Sequence, residues 1–283
     1  MSLLAAFMVP HPPMIIPEVG GSSRDQIKDT IQAYENVAKE IAALKPDTII
    51  FSSPHSVMYR DYFHISPKEK CFGNFSRFGA REVAFEETYD EKLAKKIEEI
   101  ARNQEFPAGF LGERDPMLDH GVMVPLWFIR REYQGGKIIR IGLSGLSLAD
   151  HYRFGMMINE AIEICDRRCV YIASGDLSHK LQDYGPYGFV KEGPEYDERI
   201  MDVMSRASFG ELFDFDEAFL EKAAECGHRS FVIMAGALDS KAVKPRAYSH
   251  EDVTGVGYGI CSFYPEGEDE SRNILKQYEE KYQ

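Results

Sequence analysis

Short apolar runs alternate along this chain with stretches of helical periodicity, and no other feature constrains the fold as strongly. Residues 3–9, 48–51, 137–143 and 169–173 are predominantly apolar with little in–out alternation, the pattern of strands buried on both faces. Between the first two, residues 24–44 place Ile27, Ile31, Tyr34, Val37, Ala38, Ile41 and Leu44 on one helical face, with Ser22 and Ser23 as candidate caps. Lys45-Pro46-Asp47 breaks that helix, so the segment reads as a strand–helix–strand unit with a right-handed parallel crossover. Further helices are expected over residues 87–103, 122–133 and 148–165. Residues 195–240 read as a helical block interrupted near Gly210 and Gly227, and residues 254–264 as a closing strand. The aromatic, Gly-dotted stretch 56–80 reads as a long loop or small hairpin. The expected fold is one α/β domain, a three-layer α/β/α arrangement with a mostly parallel central sheet. It spans residues 1–265 and is followed by a charged C-terminal tail, 266–283, read as a solvated helix or frayed end.

Composition narrows the function. The 283 residues carry a formal net charge of −13, which argues against a nucleic-acid surface, where phosphate neutralisation needs clustered Lys and Arg, and against an anionic membrane. No apolar run approaches the roughly 20 residues of a membrane span. The N-terminal run lacks a basic flank and leads straight into His11, unlike a secretory signal. The five cysteines, Cys71, Cys165, Cys169, Cys226 and Cys261, are odd in number and contain no Cys-x-x-Cys pair. A reducing cytoplasm is therefore expected, with no disulfide framework and no zinc ribbon.

Three of the eight histidines stand just past an apolar run: His11 before Pro12-Pro13, His55 in Ser52-Ser53-Pro54-His55, and His179 in Ser174-Gly175-Asp176-Leu177-Ser178-His179. In an open α/β sheet the strand ends line one crevice, where ligands bind. Histidines distant in sequence can thus meet there, and imidazole is the commonest metal ligand and the usual proton carrier near neutrality. His120 follows Asp119 and precedes Gly121, in a loop where a ligand can approach closely; the alternative is a helix start with Asp119 as its cap. Asp176 or Ser178 could hydrogen-bond the His179 ring. Glu225-Cys226-Gly227-His228 offers an anionic ligand from either Glu225 or Cys226, and adjacent helical residues do not face the same way. A carboxylate with two histidines suits non-haem Fe(II), while a thiolate favours softer metals such as Cu(I) or Zn. His64, His151 and His250 have no such context and read as structural.

Taken together, the His-Pro-Pro segment, the Ser-Pro-His strand end, Asp119-His120-Gly121 with Pro125-Leu126-Trp127, and Gly-Asp-Leu-Ser-His resemble the class III extradiol ring-cleavage dioxygenases. The resemblance is closest to their catalytic LigB-type subunit and extends from about Ala5 to about Tyr264. Asp-Leu-Ser-His and Glu-Cys-Gly are also similar to the related Memo-like proteins. The resemblance implies Fe(II) on His11, His55 and Glu225, His179 as acid/base, and His120 in the second sphere. Asp176 and Asp119 would back those groups. It implies a small catechol-like aromatic substrate and O2, with a homo-oligomer or a small partner subunit. The Memo-like branch carries a cysteine in this region, which makes Cys226 the alternative third ligand and Zn or Cu the alternative metal. It also implies an alternative function, metal binding without ring cleavage in redox handling or partner binding. A metal-assisted hydrolase on a similar sheet is a further rival.

Overall fold

The computed structural model describes residues 2–282; Met1 and Gln283, the outer ends of the expected domain and tail, lie outside them. The chain opens with strand β1 (Leu3–Val9), a short helix α1 (Pro17–Gly20), a 3-10 segment (Gly21–Ile27), helix α2 (Lys28–Leu44) and strand β2 (Thr48–Ser53). A peripheral insertion follows: β3 (Phe63–His64), the hairpin β4 (Lys70–Phe75) and β5 (Ala80–Thr88), helix α3 (Glu91–Asn103) and β6 (Ala108–Gly109). The core resumes with α4 (His120–Glu132), β7 (Lys137–Gly142), α5 (Leu148–Ile164) and β8 (Cys169–Ser174). Helices α6 (Glu192–Arg206), α7 (Glu217–Ala223) and α8 (His228–Ala237) lead to the hairpin β9 (Lys241–Glu251) and β10 (Tyr258–Glu268), and α9 (Ile274–Tyr282) ends the chain.

The central sheet has the order β7-β2-β8-β1-β10-β9. Its first four strands are mutually parallel, β10 is antiparallel to β1, and β9 is antiparallel to β10. The expected α/β architecture with a largely parallel sheet is what the chain adopts. Alternate residues feed two separate cores: Ala6, Met8, Ile50, Ile139 and Tyr171 pack toward α5, α6 and α8, while Ala5, Phe7, Ile49, Ile138 and Val170 pack toward α2 and α4. Both faces of every parallel strand are thus buried, which is why these segments lack alternation. Tyr34 of α2 stacks on Phe128 of α4 with ring centroids 4.3 Å apart, joining the two helices of one layer.

Several details differ from the sequence expectations. Strand β9 has no sequence counterpart above; it is an edge strand carrying Lys244, Pro245 and Arg246, and edge strands are polar by design, so no apolar run marks it. Residues 56–80 supply β3, β4 and the turn into β5. Helix α4 starts at His120, with Asp119 in the N-cap position. The 266–283 segment holds the end of β10 and helix α9, whose Ile274 and Leu275 are buried and whose Tyr278 stacks on Phe213 at 4.2 Å. No helix among the described residues is long and apolar enough to cross a membrane.

Register sets the functional end of the sheet. Val9 of β1 pairs with Ser174 of β8, and Ser52 of β2 pairs with Ala173, so three parallel strands end nearly level. The start of α8 reaches the same edge because α8 lies tightly against α5: a Cβ on Gly155 would stand 2.0 Å from the Ile233 carbonyl oxygen, and one on Gly236 would stand 1.9 Å from that of Tyr152. Gly155→Ala must push the two helices apart. It is expected to cost about 1–3 kcal/mol, read as a lowered thermal unfolding midpoint.

Candidate metal centre

The strand ends bring together the side chains read from the sequence. Past β1, the His11 backbone N–H donates to Asp176 Oδ1 at 2.7 Å. Its ring Nδ1 lies 2.9 Å from Ser174 Oγ, and that hydroxyl donates its own proton to the Gly121 carbonyl at 2.5 Å. Ser174 therefore accepts from His11, Nδ1 carries the proton, and Nε2 presents a free lone pair. This is the tautomer that a metal ligand needs, fixed by a neighbour in the manner of metal-binding histidines generally. His55 follows β2; its N–H donates to Ser53 Oγ at 3.2 Å, and Ser53 Oγ donates to Asp119 Oδ1 at 2.6 Å. Its Nε2 faces His11 Nε2 at 2.9 Å. Two nitrogens at right angles on an ion with bonds of about 2.0–2.1 Å would be about 3 Å apart, so the spacing fits a shared cation.

The third donor in reach is the Cys226 thiol, with Sγ 3.6 Å from His11 Nε2. Asp176 N–H donates to that sulfur at 3.3 Å, while the N–H groups of Cys226 and Gly227 donate to the Asp176 carbonyl at 3.3 and 3.1 Å. The two loops cross where a Cβ on Gly175 would stand 2.1 Å from Gly227 Cα, so glycine is required for that approach. Donor atoms of His11, His55 and Cys226 all lie within 4.8 Å of one another. Glu225 stands outside this cluster: its Oε2 accepts from His228 N–H at 2.6 Å and caps the start of α8, and burial pushes its carboxyl up to about 7. Of the two residues offered as third ligand, the thiol faces the histidines and the carboxyl faces a helix end.

Asp176, His179 and Cys226 form a second donor cluster with the same 4.8 Å limit. Asp176 was expected to back a histidine ring; its carboxylate instead takes the His11 N–H through one oxygen and directs the other, 3.9 Å from His11 Nε2, to the donor cluster. Ser178 Oγ donates to the Ala223 carbonyl. The buried Nδ1 of the His179 ring has no hydrogen-bond partner among the described residues. His120, the first residue of α4, places its ring centroid 3.9 Å from that of His55 and 5.3 Å from that of His11. Phe78 of the peripheral insertion packs edge-on to it at 5.3 Å. A cavity of about 320 Å³ opens beside these rings, lined by His55, Phe78, Leu118, Asp119, His120 and Met123 among others.

Burial disfavours the charged forms of His11, His120 and Cys226. Burial, then the neighbouring rings of His55 and His179, hold His11 well below the usual imidazole range. Burial and the rings of His55 and His11 push His120 down to about 3. Burial, with Asp176 and Glu225 nearby, pushes the Cys226 thiol up. Neutral imidazoles are ready to ligate, whereas the thiol must release its proton to an incoming ion. Ser174, Ser53 and the Gly175–Gly227 crossing were not singled out from the sequence; a serine closing each of β2 and β8 was the only signal.

His250, read as structural, anchors the loop behind the site. Its Nε2 bonds Asp197 Oδ2 at 2.7 Å, and Asp197 Oδ1 accepts from Ser178 N–H at 2.9 Å, one residue before His179. The hydrogen bond to Asp197 raises the His250 pKa above its ordinary value. The stabilisation from its charged form is therefore full below about pH 6.5 and disappears as pH rises through the raised value. The melting-point gap between wild type and His250→Gln should be larger at pH 6 than at pH 9. Cys226→Ala should weaken metal binding by more than the about 10–100-fold typical of losing an outer-shell partner, measured by competition with a chelator. Glu225→Gln should keep the metal and lose about 0.5–1.5 kcal/mol of stability through the weakened hydrogen bond from the His228 N–H.

Residues 5–261 match the family described as the catalytic LigB subunit of aromatic ring-opening dioxygenase. Protein CA_C1420 of Clostridium acetobutylicum is 36% identical over 99% of this chain, which spans 61% of that protein's length. The 2-aminophenol 1,6-dioxygenase beta subunit of a Pseudomonas species is 24% identical over 92% of this chain and 93% of its own length. The 3,4-dihydroxyphenylacetate 2,3-dioxygenase of Escherichia coli is 22% identical over 74% of this chain and 79% of its own. Among solved structures, the uncharacterized protein JW3007 from Escherichia coli K12 shares the fold with a TM-score of 0.60 at 14% identity, covering 92% of this chain and 99% of that one. Since the match runs from β1 into β10 and encloses every donor described above, the chain belongs to the LigB family of aromatic ring-opening dioxygenases.

Proposed function

We propose that this protein is a metal-dependent oxidoreductase that opens the ring of a small catechol- or aminophenol-like substrate with O2, using Fe(II) held by His11, His55 and Cys226. The observation that carries the reading is the 2.9 Å approach of two imidazole Nε2 atoms at the ends of parallel strands, beside a cavity of about 320 Å³. That volume lies at the small end of ligand pockets, about 300–1,000 Å³, as a one-ring substrate needs. The names of two relatives, an aminophenol and a dihydroxyphenylacetate dioxygenase, support the substrate class. The donor set fits a first-row divalent ion, since two imidazoles and a thiol that can release its proton to an incoming cation converge within 4.8 Å. When bound, the ion supplies Lewis acidity and a template that brings the two reactants together.

The protein's own groups do the rest. His179 takes the proton of a substrate hydroxyl on a ring nitrogen and returns it to the ring-opened product, the two halves of general acid–base catalysis. His120 is held neutral at about 3, so it orients the substrate by hydrogen bonding and does not carry the proton. Asp119 and Ser53 hold the chain on either side of the His55–His120 pair, and Phe78, Leu118 and Met123 give the cavity its apolar wall. The five cysteines are free, which supports a cytoplasmic setting. The word subunit in one relative's name supports assembly as a homo-oligomer or with a small partner chain. The unit that carries the chemistry is proposed to end near residue 265.

One observation favours a second reading. The carboxyl of Glu225 is engaged by helix α8 while the Cys226 thiol faces His11, and thiolate ligation favours copper or zinc. On that reading the protein binds such a metal without cleaving rings. Anaerobic purification, metal analysis and O2 uptake with 2-aminophenol and catechol decide between them. Ring opening predicts iron and substrate-dependent O2 uptake. His179→Ala should then keep its iron and lose about 10²–10⁴-fold in turnover, whereas His11→Ala should lose the iron. Copper or zinc with no O2 uptake establishes the second reading, and full metal content in both variants overturns the ligand assignment.

A further inference from the structure

Five potential donors crowd the strand ends, yet they fall into two clusters rather than one: His11, His55 and Cys226, and Asp176, His179 and Cys226. Ligands on opposite sides of a single ion, with bonds of about 2.0–2.3 Å, stand at most about 4.6 Å apart. In each cluster the donor atoms lie within 4.8 Å of one another, close to that span, and only the Cys226 sulfur belongs to both. We propose that the centre holds two cations, one on His11 and His55 and one on Asp176 and His179, with the Cys226 thiolate bridging them. The inference rests on the metal-centre reading of His11, His55 and Cys226.

Three further observations support the second position. The buried Nδ1 of His179 has no hydrogen-bond partner, and a buried polar atom left in that state normally has one. The Asp176 side chain is 9% exposed, and its one ion-pair partner among the described residues is His11, at 3.9 Å. Buried carboxylates are paired with a cation or coordinate a metal, and no lysine or arginine serves here. The Asp176 peptide also fixes the sulfur, through its N–H at 3.3 Å and through the carbonyl that accepts the Cys226 N–H. The proposed bridge is therefore positioned by the same residue whose carboxylate holds the second ion. Two-metal sites place their ions about 3.5–4 Å apart, within the span of a shared sulfur.

The second position has a chemical consequence. His179 cannot ligate an ion and shuttle a proton through the same nitrogen, so the doubly loaded form turns over more slowly than the singly loaded one. A borderline cation suits a donor set of carboxylate, imidazole and thiolate, and Co(II) reports thiolate ligation through its charge-transfer absorption. The full chain, stripped of metal, is titrated anaerobically with Co(II), and bound cobalt is counted after gel filtration. Wild type should take up two equivalents, and His179→Gln, altered at a partly exposed loop residue, should take up one and keep the sulfur absorption. Cys226→Ser should lose that absorption, with circular dichroism confirming that both variants fold. One equivalent in wild type overturns the two-cation proposal and leaves the single-metal reading intact. Two equivalents that persist in His179→Gln also overturn it, because the second ion then lies elsewhere. Failure to bind any cobalt overturns both readings.

Discussion

Three parallel strands that end level with one another are the constraint on which the site depends. Because β1, β8 and β2 are adjacent and in register, the residues just beyond them are held at neighbouring points by the backbone ladder alone. Side chains need only be of the right kind. Pro10, Pro12 and Pro54 then keep the chain from turning into a helix at once, so each histidine leaves its strand in an extended path. The fourth contribution comes from α8, whose position is set by its backbone-to-backbone approach to α5. A rigid sheet edge and one closely packed helix thus share the task of placing the donors.

The environment of those donors is unusual in what it lacks. The buried His11 ring and Asp176 carboxylate meet the exposed His55 ring and the half-buried Cys226 thiol, and among the described residues no arginine or lysine is paired with Asp176. Each of these groups is costly to bury in its charged form, and burial accordingly drives the rings and the thiol toward neutrality. Such a set has few ways of becoming stable together. One is to accept a cation, which replaces several separate desolvation penalties by one coordination sphere. The same absence of fixed positive charge distinguishes this cluster from Arg140, which is just as buried but has Ser66 Oγ and the Asp115 carbonyl as acceptors and Glu113 as an ion-pair partner, and so has no need of a ligand.

Much of this was legible in the sequence, for identifiable reasons. The parallel strands could be read because burial on both faces removes alternation, and His11, His55 and His179 could be read because they follow such runs. Edge strand β9 could not, since a strand open on one side carries the lysine, proline and arginine of a surface segment. Ser174 could not either; its part in fixing the His11 tautomer arises from a hydrogen bond to Gly121, over fifty residues away in the chain. Asp176 stands in the same donor cluster as His179, but its hydrogen bond is to another residue. Its carboxylate is captured by the His11 backbone, a contact between two loops that no local pattern encodes.

The arrangement of Glu225 and Cys226 shows how a local contact separates two neighbours that a motif leaves equivalent. Glu225 and Cys226 lie just before the helix, and their side chains take different partners. Helix α8 begins at His228, and its unsatisfied N–H groups attract the nearest anionic side chain. Glu225 lies three residues before His228 and is placed to cap it, a position from which its carboxylate cannot also reach the strand ends. Cys226 is left on the opposite side, against Asp176 and His11. The hydrogen bond at the helix start and the donor cluster are therefore linked: the Glu225 carboxylate is engaged by the His228 N–H, while the Cys226 thiol is the side chain of the pair that faces His11.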